Sequence, residues 1–187
     1  MIKDVKIKKV GIGDEPIKLG GLEGNKFKII VKNLNKGKKL KINKIENYFD
    51  EQRFSTKNIK VGRALLKRDY KTLLGLLELK NKEELFKFDK KILRFSLNSY
   101  QSYVFNKALK ECLDKKIKIN KLPLINFDTK FKDKTIEKIY NKILEKDKIK
   151  KEDFIFREMP FLVSEGKERN IFSKVNNFKY KYNKDEL

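Results

Sequence analysis

No histidine occurs anywhere in the 187 residues. That absence removes His-based catalytic triads, most zinc sites and the usual general base near neutral pH. Cys112 is the single cysteine, so no internal disulfide can form and a reducing interior is the natural setting. Its neighbours, KALKECLDK, place the thiol on a helix face, where an inert packing role is expected. Long apolar runs are missing too: none approaches the ~20 residues that a membrane-spanning helix needs. The opening MIKDVKIKKV alternates charges with single aliphatics and lacks the apolar centre of a signal peptide. The closing KDEL matches a retrieval signal of the endoplasmic reticulum. Without a signal peptide to deliver the chain there, the match reads as coincidence, and the expected location is the cytoplasm. Arginine is scarce: Arg53, Arg63, Arg68, Arg94, Arg157 and Arg169 are the only six among 48 basic residues.

What is present in excess is lysine. The formal net charge is +22 and 40% of residues are charged, which favours polyanionic partners: RNA, DNA or an anionic membrane surface. A Lys, Ile and Asn surplus also follows from nucleotide bias in a genome, so charge alone does not choose a partner. The 39% apolar content, with 14 Phe and 7 Tyr, is enough to fill the core of one domain, or of one domain with an insertion.

Along the chain the hydrophobic period changes twice. DVKIKKVGI (4–12) and KFKIIVKNL (26–34) alternate as strands do, separated by turns at Gly20, Gly21 and Gly24. NKGKKLKINKI (35–45) reads as a basic turn. From residue 57 the apolar spacing becomes helical, with two helices meeting near Asp69. The pattern over 82–116 predicts the longest helix, carrying an approximate stripe of Leu93, Leu97, Tyr100, Val104 and Leu109. Residues 120–129 read as a loop, because Pro123 bars continued helix. Residues 134–149 predict a further amphipathic helix, and strand-and-turn character returns from residue 153, ending in an alternating FKYKY. The class is α+β, with strands at both ends and helices between.

Few motifs carry chemistry. GIGDEPIKLGG lacks the spacing of a dinucleotide loop and the GK[ST] of a P-loop. Asp50 and Glu51, read as adjacent residues on an extended segment, point to opposite faces. No metal site is arguable. Three stretches remain: GNKF (24–27), ENYFDEQRFS (46–55) and SLNSYQSYVFNKAL (96–109). Each gathers rings with amide groups, and two readings stay open for each. The rings are core and the amides are caps, or the rings stack on unpaired bases while Arg and amides read phosphates and edges. Arg53 favours the second, since a planar fork suits bidentate or stacked contacts that lysine cannot make.

At these residues the sequence resembles the TruD family of tRNA pseudouridine synthases. The family's GN.F, NYFG.QRFG and Y/R-S-x-x-FN stretches stand here as Gly24–Phe27, Asn47–Ser55 and Tyr100–Asn106. Between them, Val61–Leu66 with Arg68-Asp69-Tyr70 is similar to the family's VGRALL.GDY helix. Leu122-Pro123-Leu124, Glu152-Asp153-Phe154 and Gly166–Arg169 resemble its archaeal branch. Asp50 and Ser55 stand where the signature has glycines. The family's catalytic aspartate sits in a G-x-K-D-[RK]-x-A motif; here Lys3-Asp4 offers the dipeptide alone, so Asp4 is not expected to be the nucleophile.

The resemblance implies a mixed-sheet pseudouridine synthase core over residues 1–56, a mainly helical TruD-type insertion over 57–170, and a return to core strand over 171–187. It implies isomerisation of a uridine in tRNA, conventionally position 13, to pseudouridine, with no cofactor and no metal. An aspartate attacks covalently after the nucleotide is flipped from its stack. Phe27 is then the ring beside the flipped base and Asn25 an amide near the catalytic carboxylate. Asn47 and Arg53 complete the expected RNA-binding set. The chain reads as the middle of such an enzyme, trimmed on both sides. The expected partner is tRNA, and the aspartate is expected either from a second polypeptide or from the rest of a longer gene product of which this chain is a piece. A catalytically silent tRNA-binding relative is the alternative, and a protein-interaction module whose charge is genomic bias is the third reading.

Overall fold

A computed structural model describes residues 8, 9, 11–13, 16, 21, 41–55, 57–163 and 166–179. The chain divides into two units, Met1–Leu40 and Lys41–Leu187, and the elements below all belong to the second. Asp4, Asn25 and Phe27 lie outside the described residues, as do the strand expected over 26–34, most of the one over 4–12, and the last three residues of FKYKY.

Among the described residues six α-helices run in chain order: α1 (Glu51–Phe54), α2 (Asn58–Leu66), α3 (Tyr70–Leu77), α4 (Lys82–Lys87), α5 (Lys90–Asp114) and α6 (Lys134–Asp147). Five of them start on an Asp or Asn whose side chain accepts from a backbone N–H of the first turn: Asp50, Asp69, Asn81, Asp89 and Asp133. Such caps satisfy donors that have no intrahelical partner. Two expectations are corrected here. Asp50 and Glu51 do not sit on an extended segment, because Asp50 caps α1 and Glu51 opens it. The helical pattern over 82–116 is not one helix; it breaks at Phe88, and Asp89 caps a new start.

The helices end in an unexpected way. Arg68, Glu78, Lys116 and Lys148 follow α2, α3, α5 and α6 with φ of 53°, 59°, 55° and 54°. Beyond each, backbone N–H groups reach back to the last turn, as Asp69 does to the Ala64 carbonyl at 3.0 Å and Ile117 to that of Cys112 at 2.9 Å. This left-handed closure usually falls to glycine. Here charged side chains take it, so glycine could not mark these ends in the sequence.

The α+β class holds. The described strands are β1 (Lys44–Glu46), β2 (Lys121–Leu124), β3 (Lys167–Asn170) and β4 (Phe172–Lys174), paired antiparallel as β1 with β4 and β2 with β3. The mixed sheet expected of the core is not among the described residues. The basic turn read over 35–45 gives way to β1 at its end, and the loop read over 120–129 contains β2. Pro123 is tolerated there because a two-stranded ribbon leaves one edge of β2 free of backbone pairing. Among the described residues no helix is long and apolar enough to cross a membrane.

The core forms around α5. Leu93, Leu97, Tyr100, Val104, Phe105, Leu109 and Cys112 are all buried. Ser96, Ser99, Gln101 and Ser102 are buried on other sides of the same helix, which is why its apolar stripe is only approximate. The polar groups inside are tied down: Gln101 Nε2 donates to the Ile125 carbonyl at 2.7 Å, and the Tyr140 hydroxyl donates to that of Pro123 at 2.6 Å. α2 crosses α5 at Gly62, where a Cβ would stand 2.3 Å from the Ser96 carbonyl oxygen. Only a missing side chain permits that approach.

Candidate functional site

Asn47, Phe49 and Arg53 meet α5 and β3 in one corner. Asn47 prolongs the β1–β4 ladder by donating its N–H to the Ile171 carbonyl at 2.9 Å. Both ends of its amide are engaged: Nδ2 donates to the Asn170 carbonyl at 2.8 Å, and Oδ1 accepts from Arg169 Nη2 at 2.6 Å. Arg169 Nε also donates to the Asn47 carbonyl at 3.3 Å.

Phe49 is held by Asn106 of α5. Asn106 Oδ1 accepts from the Phe49 N–H at 2.9 Å, while its Nδ2 donates to the Phe49 carbonyl at 2.8 Å. One side chain thus imitates a neighbouring strand and fixes the Phe49 backbone. The Phe49 ring meets Phe105 edge-on, with centroids 5.6 Å apart.

Arg53 lies over Phe95 at 4.8 Å and over Phe49 at 5.7 Å; Arg169 lies over Phe49 at 4.0 Å. Arg53 Nε donates to the Ser102 hydroxyl at 3.4 Å, and that hydroxyl donates to the Asn98 carbonyl at 2.8 Å. The Ser99 hydroxyl stands 2.8 Å from the Arg53 carbonyl. Burial lowers the Arg53 pKa from its ordinary value. The Arg169 pKa falls as well, through burial first and then through the charge of Arg53. Gln52, Asp50 and Tyr48 are exposed, so the corner opens to solvent and is not sealed in the core.

Ser55, where the resembled signature has glycine, adopts φ 48° and ψ −175°. That backbone region belongs almost entirely to glycine and costs other residues about 1–3 kcal/mol. The turn after α1 therefore keeps a glycine-type geometry although the residue has changed. Asp50, at φ −92°, needs no such freedom.

Of the expected RNA-binding residues, the structure brings Asn47 and Arg53 together, while Asn25 and Phe27 lie outside the described residues. The third stretch divides. Tyr100 and Phe105 are core, and the Tyr100 hydroxyl donates to Asp147 at 2.9 Å. Sequence reasoning missed Arg169 as a site residue, and with it the serines that seat Arg53. Arginine scarcity narrows the search to six residues, and no local pattern selects Arg169 among them.

The family model for tRNA pseudouridine synthase D (TruD) matches residues 1–84 and 121–187. The chain belongs to the TruD family. A relative named "Probable tRNA pseudouridine synthase D" from Thermococcus sibiricus is 24% identical over an alignment 290 positions long, gaps included, covering 100% of this chain and 68% of the relative. A crystal structure of a TruD-named protein from Methanosarcina mazei superposes with a TM-score of 0.55 at 14% identity, over 67% of this chain. The chain spans only 51% of that solved structure, which therefore speaks for a shared fold. The TruD match takes in Asn47, Phe49, Arg53 and Arg169 but leaves out 85–120, where α5 lies. The clamp by Asn106 and the seat made by Ser99 and Ser102 thus come from a helix beyond the matched residues.

Proposed function

We propose that this chain acts in the conversion of uridine to pseudouridine in tRNA, at position 13, together with a second polypeptide that supplies the nucleophilic aspartate. The observation that carries this reading is the solvent-open corner of Asn47, Phe49, Arg53 and Arg169 in a chain of the TruD family. Half-buried guanidinium groups against rings suit a flipped or unstacked strand. Lysines in excess grip the backbone without reading sequence.

In this reading Phe27 packs beside the flipped base, and Asn25 stands near the catalytic carboxylate. Residues 1–56 and 171–187 belong to the synthase core and 57–170 to the insertion; the pairing of β1 with β4 across that span supports the division. The cytoplasm is the proposed location.

The test is incubation with an unmodified tRNA transcript, followed by mapping of pseudouridine. The chain alone is expected to bind tRNA at low salt and to make no product. Addition of a polypeptide carrying the aspartate motif is expected to give product at position 13, and Phe27→Ala is expected to abolish it. Conversion by the chain alone, lost in Asp4→Ala, would make Asp4 the nucleophile and overturn the two-chain arrangement. No tRNA binding at low ionic strength would overturn the RNA reading itself.

A further inference from the structure

Six arginines in a chain this rich in lysine invite a comparison of how each guanidinium is used. Arg68 gives its fork to the carbonyls of Leu65, Leu66, Asp153 and Ile155. Arg94 caps the Phe161 carbonyl through two nitrogens. Arg63 pairs with Asp147 at 3.2 Å. Arg157 is exposed. Arg53 and Arg169 are different: both are half-buried, and neither makes an ion pair among the described residues.

Their donor inventories are also incomplete. Each guanidinium carries five N–H groups. Arg53 spends only Nε, on Ser102, and Arg169 spends Nε and one Nη2 proton, both on Asn47. The remaining Nη groups have no acceptor among the described residues, yet none of them is a buried unsatisfied atom. They therefore face solvent. Both guanidinium carbons lie over the same Phe49 ring, at 5.7 Å and 4.0 Å from its centroid, so they stand no more than ~10 Å apart. Two like charges share one ring and feel each other, partly out of water, with no carboxylate paired to either among the described residues. Such an arrangement costs free energy in the empty protein and is offset when an anion arrives.

We propose that Arg53 and Arg169, sharing Phe49, form a paired fork that binds a phosphodiester of the RNA backbone. The inference rests on the RNA reading above and gives it a ligand and a location. Asn47 is the positioning residue of this site: it touches Arg169 through both its carbonyl and its side-chain oxygen and holds that fork in place. The ring of Phe95, 37% accessible and 4.8 Å from the Arg53 guanidinium, offers an apolar surface where the sugar or base next to the phosphate would lie. That favours a nucleotide phosphate over a free inorganic one.

The experiment follows arginine Nε–H resonances of the full chain during titration with the dinucleotide UpU, with uridine and with inorganic phosphate. Arg53→Lys and Arg169→Lys assign the signals, keeping charge and fold while removing the fork. In parallel, the salt dependence of binding to an unmodified tRNA transcript is measured for Arg53→Gln, Arg169→Gln and the exposed control Arg157→Gln. UpU is expected to shift the Arg53 and Arg169 signals saturably, and uridine is not. Each Gln variant at the fork is expected to lower the slope of log K against log salt by about one, and the control to leave it unchanged.

Uniform small shifts across all six arginines, or no shift at all, would overturn the site. Saturation by inorganic phosphate equal to that by UpU, with unaltered tRNA slopes, would assign a free anion and overturn the RNA ligand. If tRNA fails to bind but UpU still saturates the two signals, the fork stands while the tRNA reading falls.

Discussion

Two arginines in this molecule lie close over a phenylalanine ring and end differently. Arg68 sits 4.4 Å from the Phe156 centroid, and Arg169 sits 4.0 Å from that of Phe49. Arg68 Nη1 donates to carbonyls at 2.6 Å, 2.7 Å and 3.3 Å, and its Nη2 to another at 2.6 Å. It ties the end of α2 to the segment around Asp153–Ile155, and its fork is spent on backbone. Arg169 meets its ring as closely, but among the described residues it donates hydrogen bonds only to Asn47, and it feels the charge of Arg53, which makes no ion pair there. The ring contact is common to both, so by itself it does not separate them. What distinguishes them is how many donors the protein leaves unfilled, and whether those donors face water.

The comparison breaks first at Arg68. Arg68→Ala should lower stability by about 3 kcal/mol, because three half-buried carbonyls and the exposed one of Ile155 lose a charged donor. Arg68→Gly should lose about 1 kcal/mol less, since residue 68 has φ 53° and glycine accepts it freely. Urea denaturation of both variants checks this; equal losses would remove backbone strain from the account.

Asn106→Ala should cost about 2 kcal/mol, through the two hydrogen bonds to the Phe49 backbone. Tight tRNA binding should fall with it, because Phe49 carries both forks. Retained affinity with lost stability would separate the clamp from the site.

Ser55→Gly should raise stability by about 1 kcal/mol, by relieving the backbone at φ 48°. A shift in the urea midpoint reads this out, and an unchanged midpoint would mean the turn relaxes without cost.

The smallest effect is on the alkaline limb. Burial pushes the Cys112 thiol up to about 11 from its ordinary 9.0, and burial also raises Tyr140. Above pH 9 the unfolded chain loses the thiol proton that the folded chain keeps, so stability should fall as pH rises from 9 to 11. Cys112→Ser should flatten that decline, as followed by thermal unfolding at a series of pH values.

The same contrast explains what the sequence could reveal. α2, α5 and α6 were legible because apolar spacing is a local signal, although the Asp89 cap that divides the long pattern into α4 and α5 was not read. Cys112 was legible as a buried thiol on a helix face, for the same reason. β2 was not, since Pro123 argues against a strand unless the ribbon's free edge is known. The helix ends at Arg68, Glu78, Lys116 and Lys148 were hidden because left-handed closure there uses no glycine. Asn47 and Arg53 stood out as part of one ring-and-amide cluster. Arg169 did not, because it lies 122 residues from the Asn47 it holds, and no local pattern encodes such a pairing. Whether an arginine is saturated is a property of tertiary structure alone.

The most direct measurement is arginine modification by phenylglyoxal, read by peptide mass, with and without saturating tRNA. Arg53 and Arg169 should react in the free protein and be protected in the complex, while Arg68 should be slow in both. Equal labelling of Arg53 and Arg169 with and without bound tRNA would contradict the account.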